Sequence, residues 1–311
     1  MIRTALSLVL LLVAGALSAQ TETSDRSVAV TFDDLPFAGT DLGVAEVATD
    51  ALLVALATRD VPASGFVNTA ALDRAGGETR AALLEAWLDA GHRLENHSRS
   101  HPHYNGAEQA VYLADVAEGH DRLAAFLEPW RQAVRWYRAP FNEVGETAEK
   151  RRALLDLLAS QRVALAPFTV EHSDWMFDAV YRRALDASDH ALAARVRTAY
   201  VAQLDRALAF AEATSRETFG REIPQVLLLH ANRLNADAMP AMLDRMAARG
   251  YRFVTLDEAS ADPAYDTPNA YEGKWGISWL HRWRVGLGLP NALRDEPGPP
   301  AWLVEAYETG S

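Results

Sequence analysis

The chain has 311 residues, 42 acidic against 30 basic side chains, a net charge of −12 and no cysteine. This length suits one large α/β domain with a short extension, and an acidic balance without a basic run leaves no electrostatic footprint for nucleic acid. The missing thiols exclude a cysteine nucleophile, an iron–sulfur cluster and a cysteine-ligated zinc, so any metal must be held by histidine and carboxylate.

The opening "MIRTALSLVLLLVAGALSAQ" joins one arginine to an apolar stretch and small residues ending at Ala19, the make-up of a secretory signal peptide. Residues 1–19 are therefore expected to be a leader, and the protein to be exported, periplasmic or secreted. The apolar run is too short for a good membrane span, so none is expected in the mature protein.

Strand-like and helix-like segments then alternate. "VAVTFDDLPFAG", residues 28–39, begins as a strand and is broken by Pro36 and Gly39. "LGVAEVATDALLVALATRD" has helical spacing, "SGFV" is a second strand, and "ETRAALLEAWLDAG" a helix stopped by Gly91. "HRLEN", "AVRWY" and "VALAPFTV" are the next three strands, with helices near residues 107–128 and 146–160. "QVLLLH" is continuous and apolar, as a buried parallel strand should be, and "YRFVTL" is the seventh strand. Two segments fall outside the rhythm: a charged helical insertion at 176–220 and a Pro/Gly-punctuated tail at 265–311.

Strand–helix units without hairpin signals predict a parallel sheet. Asp33, Asp34, His97, Arg138, Asp174 and His230 all fall at or just beyond predicted strand ends. In a barrel those ends share one rim, whereas an open sheet would set them along a line. The expectation is a distorted (β/α)7 TIM-like barrel with a helical insertion and a C-terminal extension.

The chemistry-bearing residues each have two readings. Asp33 and Asp34 are either a solvated turn or a pair with a metal or proton-transfer task, since adjacent like charges repel. His97 and His101, four apart, are either surface residues or two ligands sharing a face on a helical turn. His103 is expected to point elsewhere. With one strand-tip aspartate the histidines make a two-His, one-carboxylate set for a divalent metal with positions left open. Arg138 is an ordinary ion pair or an arginine holding an acidic neighbour charged and oriented. His230 is a satisfied core histidine or an acid/base group.

In this order "TFDD", "HSRSH", "RAPF", "EHSDW" and "LLLH" resemble the five motifs of the polysaccharide deacetylases, the NodB-homology proteins of carbohydrate esterase family 4. The resemblance implies a deacetylase domain over 25–262 and a Trp-rich extension over 263–311. It implies one divalent metal on Asp34, His97 and His101, Zn²⁺ first, with Co²⁺ or another transition metal as alternatives. It makes Asp33 the general base, steered by Arg138, and His230 the general acid, oriented by Asp174. The Phe141 N–H would face the developing oxyanion, and Trp175 would wall the pocket. The implied partner is an acetylated glycan or amino-sugar oligosaccharide, losing N-acetyl groups as in chitin or peptidoglycan. The alternatives are an O-acetyl esterase on a polysaccharide such as xylan and an inactive sugar-binding protein.

The sequence departs from the family pattern at Leu35, Phe141, Asn142 and Glu171. Glu171 stands where aspartate is usual, and its longer arm is expected to repack near Arg138. In the tail Trp275, Trp279 and Trp283 recur at helical spacing, to be read as core packing or as a stripe that stacks on sugar. The insertion is read as a lid over the groove or a solvated helical face; Tyr181 and Trp130 are equally ambiguous.

Overall fold

The structure, a computed structural model, describes residues 26–290 and 292–310; the expected leader at 1–19 lies outside the described residues. Seven strands are seen: β1 Ser27–Leu35, β2 Ala63–Val67, β3 Arg93–Asn96, β4 Trp136–Tyr137, β5 Ala164–Leu165, β6 Gln225–His230 and β7 Arg252–Val254. Helices α1 Leu42–Ala57, α2 Gly77–Asp89, α3 Gln109–Leu127 and α4 Ala148–Ser160 follow the first four strands in turn. The helices α5 Asp174–Asp186 and α6 His190–Phe219 separate β5 from β6, and α7 Arg233–Ala248 leads to β7. Three short helices end the chain: α8 Leu256–Ser260, α9 Trp279–Gly286 and α10 Ala301–Thr309.

All pairings are parallel, in the order β5-β4-β3-β2-β1-β6. After β5 the chain returns to β6: Thr169 and Val170 donate to Val226 O at 2.9 and 3.1 Å, and Leu228 donates to Val170 O at 2.9 Å. That single bridge, Val170 to Leu227, brings the sheet's two ends together into a distorted (β/α) barrel. On β1, β6 takes one edge along Val28–Asp33; β7 pairs with Ser27–Ala29 and β2 with Val30–Leu35 on the other. Val28–Phe32 and Val226–Leu229 are buried throughout, because helices cover the barrel outside and side chains fill it inside.

The helical insertion is a pair of helices, α5 and α6, packed on each other through Phe177 and Tyr200. The tail is joined to the barrel's packing: Leu280 and Trp283 of α9 and Leu303 of α10 belong to the same core cluster as β1 and β6. The tryptophan stripe divides. Trp279 and Trp283 are buried, whereas Trp275 precedes α9 and is 75% exposed. Tyr181 is a buried packing residue tied to Asp237, and Trp130 packs on Phe126 away from the strand-tip rim. No helix among the described residues is long and apolar enough to cross a membrane.

Candidate active site

A regular strand sends neighbouring side chains to opposite faces, so Asp33 and Asp34 could not both serve one site from an undistorted β1. The β1–β2 register slips between Phe32 and Leu35, and Asp34 adopts φ 61°. This bulge re-aims the tip. Asp33 stays buried, with its carbonyl accepting from Ala231 N at 3.1 Å, while Asp34 turns to the rim.

His97 and His101 do come together, but by another route than the expected helical turn. Residues 97–103 are irregular, with Ser98 and His101 in the left-handed region at φ 69° and 62°. Local hydrogen bonds hold the loop. Asn96 Oδ1 accepts from Ser98 N at 2.9 Å, Ser98 Oγ accepts from His101 N at 3.1 Å, and Asp115 Oδ1 accepts from Arg99 N and Ser100 N at 3.0 Å each. Gly119 of α3 lets the loop lie against the helix; a Cβ there would sit 2.5 Å from Ser98 C and 2.7 Å from Arg99 N.

His97 Nδ1 lies 2.8 Å from the Arg138 carbonyl, which fixes Nδ1 as the protonated nitrogen and leaves the Nε2 lone pair to face the rim. Nε2 of His97 and of His101 stand 3.6 and 3.3 Å from Asp34 Oδ1. Candidate ligand atoms of the three residues all lie within 4.8 Å of one another, the one such grouping among the described residues. Burial and the neighbouring His97 hold His101 down to about 4, so its ring is neutral at pH 7. Two imidazoles, one with its tautomer oriented, and one carboxylate fit a divalent transition metal. His103 points away, pairing with Glu143 at 3.1 Å and stacking on Phe141.

Arg138 is fully buried beneath this centre. Its Nη1 stands 3.5 Å from Asp33 Oδ1, and its Nη2 donates to Thr31 Oγ1 at 3.3 Å and Pro167 O at 3.1 Å. Burial pulls the guanidinium below the usual arginine value, and the charge of Asp33 opposes that.

Across the rim, Asp174 at the start of α5 grips the end of β6. Its Oδ1 accepts from His230 Nδ1 and its Oδ2 from His230 N, both at 2.7 Å. Asn235 Nδ2 donates to Asp174 Oδ2 at 2.6 Å and to His230 O at 2.8 Å, and the Tyr200 hydroxyl bonds Asn235 Oδ1. Burial works against charge on both partners. The pairing outweighs it, raising His230 to about 10 and holding Asp174 below the usual carboxylate range. Glu171 does not repack near Arg138. It turns back to accept from Ser173 N at 2.6 Å, closing a short turn ahead of α5. Burial and the nearby Asp174 push it up to about 7.

A cavity of about 690 Å³ opens over these groups. Asp33, Asp34, His97, His101 and His230 line it, with Phe141 and Trp175 at its walls. Arg138 and Asp174 stand behind Asp33 and His230. Phe141 has φ 54°, its ring stacked 3.6 Å from His103 and edge-on to His101 at 4.5 Å. In its turn the Asn142 and Glu143 amides donate to Ala139 O and Pro140 O.

Several residues that shape the site escaped the sequence reading: Asn96, Asp115, Gly119, Tyr200 and Asn235. Asn96 had a signal, since asparagine after a strand favours side-chain-closed turns. Asn235 also had one, lying three residues after the Asn232 cap of α7.

A parallel barrel with a two-histidine, one-carboxylate grouping facing an Asp–His pair has the parts of a hydrolase centre. The resemblance carried by the motifs is borne out: residues 20–160 match the family model described as polysaccharide deacetylase. That span holds "TFDD", "HSRSH" and "RAPF". Among solved structures, the chain is similar to a mutant of BA3943 of Bacillus anthracis, a CE4 family pseudoenzyme with restored enzymatic activity. The two are 16% identical with a TM-score of 0.53, over 76% of this chain and 68% of that one. It is also similar to the polysaccharide deacetylase Bc1974 of Bacillus cereus, at 19% identity and a TM-score of 0.51, over 74% of this chain and 91% of that one. At these identities the likeness is one of fold. No curated protein matches the sequence significantly.

Proposed function

We propose that the protein is a metal-dependent hydrolase that removes acetyl groups from a glycan, N-acetyl groups of amino sugars in a chitin- or peptidoglycan-like polymer first among them. One observation carries this reading: the ligand grouping and the Asp174–His230 pair line or support one cavity from opposite sides, with Asp33 buried between strand and rim. Asp34, His97 and His101 would hold the ion, with Zn²⁺ the first choice for two imidazoles and a carboxylate. Such an ion supplies Lewis acidity to the acetyl carbonyl and a lowered pKa to water.

The chain's own residues supply the proton transfers. Asp33, aimed by the Arg138 guanidinium 3.5 Å away, accepts the proton of the attacking water. The Phe141 N–H donates to the carbonyl oxygen as it gains charge. An amide nitrogen leaves readily only when protonated, and His230 delivers that proton from its Nε2 while Asp174 holds Nδ1–H. The leader-like start of the sequence points to a glycan outside the cytoplasm.

The test is acetate release from N-acetylglucosamine oligomers, peptidoglycan and acetylated xylan by protein loaded with Zn²⁺ or Co²⁺, each with a chelator control. Chelator-sensitive release from an amino-sugar substrate is expected. Release from xylan alone would replace the amide by an ester, and release from none of them would overturn the reading.

A further inference from the structure

The tail enters the active-site cavity, where nothing in the proposed chemistry uses it. Trp275, Gly276, Ile277 and Ser278 line the cavity together with Asp33, Asp34 and His230. Isolated exposed apolar side chains are ordinary on a protein surface, but this one is mounted on a fixed strap. Arg282, buried, donates to Ile277 O at 2.9 Å, Asn142 O at 3.1 Å and Trp275 O at 3.4 Å. Its guanidinium lies 5.1 and 4.9 Å from the ring centroids of Tyr271 and Trp279. Asn105 Nδ2 donates to Lys274 O at 2.7 Å. Gly276 passes so close to the Phe141 turn that a Cβ would fall 2.0 Å from Phe141 O.

The polar groups beside Trp275 await a partner. Ser278 is 4% exposed, lines the cavity, and its Oγ has no hydrogen bond within the protein. Asn142 Oδ1 is also buried without a partner and its residue lines the same cavity. Glu296 adds a carboxylate to the wall, fixed by His281 Nε2 at 3.0 Å. Leaving buried polar atoms unpaired is costly, and a ligand that pairs them recovers the loss. An exposed indole face beside an unpaired hydroxyl, an amide oxygen and a carboxylate complements a pyranose ring, with its apolar C–H face and its rim of hydroxyls.

We propose that the strap 271–278 builds a sugar subsite, in which Trp275 stacks on a pyranose ring neighbouring the reacting one while Ser278 and Asn142 bond its hydroxyls. The inference rests on the deacetylase reading for the position of the reacting sugar. It makes the enzyme selective for oligosaccharides over single sugars.

The test is calorimetric titration of the Asp33→Asn protein with N-acetylglucosamine trimer and monomer, repeated with xylotriose, and again with Trp275→Ala or Trp275→Phe added. Trp275→Ala should weaken trimer binding about tenfold and monomer binding far less, with Trp275→Phe recovering most of the loss. Ser278→Ala should weaken the trimer alone. Equal affinity of Trp275→Ala and its parent for every trimer overturns the subsite, as does equal weakening of trimer and monomer, or a parent that binds no trimer. A parent that binds trimer in the Trp275-dependent way while the wild-type protein releases no acetate keeps the subsite and overturns the deacetylase reading. Acetate release whose KM ignores Trp275 does the reverse.

Discussion

Asp174 holds His230 twice, accepting from its ring through Oδ1 and from its main chain through Oδ2, each at 2.7 Å. A carboxylate clamped to both parts of one residue sets the ring's direction as well as its charge. Burial lowers the ring's affinity for a proton, and Asp174 more than restores it, bringing His230 to about 10; Asp33 and Asp34 add smaller contributions that a bound cation would offset. The alkaline limb of kcat should therefore lie below 10 in the metal-loaded enzyme and move further down in Asp174→Asn, with kcat falling about 10²–10³-fold. A pH–rate profile of both proteins checks this. The same pair affects stability. A histidine raised from 6.5 to about 10 contributes fully below 6.5 and loses its contribution as pH climbs through 10, so denaturant midpoints should fall over that window. In Asp174→Asn that fall should be much smaller.

The neighbouring aspartates have different settings, one buried beside Arg138 and one at the rim beside two imidazoles. Zn²⁺ at about 100 times its Kd should raise the melting temperature of wild-type protein by about 5 °C or more. Asp33→Asn should keep that rise and lose turnover. Asp34→Ala should lose both. Identical melting behaviour of the two variants would show that the carboxylates do not divide the work.

Arg138 is fully buried, and Asp33 is nearly so, open only where it meets the cavity. Arg138→Met should cost about 3–5 kcal/mol in urea unfolding, because it strands a buried charge. Adding Asp33→Asn should return part of that loss, and a double-mutant cycle measures the coupling. Additive losses would mean that the 3.5 Å approach carries little interaction.

Gly119→Ala tests whether α3 sets the ligand loop. Alanine is ordinarily the better helix former by up to about 1 kcal/mol. Here its Cβ would meet the Ser98 and Arg99 backbone at 2.5 and 2.7 Å, between the two histidines. A net destabilisation of about 1–3 kcal/mol is expected, with weaker Zn²⁺ binding by calorimetry. A stabilised variant with unchanged affinity would show that the loop can yield freely.

The barrel was legible because its strands are apolar runs ending in polar residues: QVLLLH was read with the same bounds that β6 has. The fifth strand was not. Its apolar reading ran over 163–170, but after Leu165 the chain turns through Pro167 and pairs again at Val170 with a different neighbour. Apolar character marks burial and cannot say which edge a residue pairs with. At the site, His97 and His101 were visible as a pair, yet their fixing groups, Asn96, Asp115 and Gly119, act through backbone hydrogen bonds and clearance. Those carry no periodic signal. The tryptophan spacing misled for a simpler reason: Gly276 and Ser278 delay the start of α9, so Trp275 lies outside the helix its periodicity implied.

One consequence of the tail's packing concerns where the chain can be cut. The segment that brings Trp275 to the cavity continues directly into Leu280 and Trp283, whose buried side chains belong to the same core cluster as β1 and β6. A fragment ending at residue 262 would keep every ligand, base and acid named above and still uncover side chains packed on the core such as Phe219, against which Trp283 lies. The packing thus runs on past the last motif, and a protein shortened there is expected to precipitate before its catalysis can be assayed.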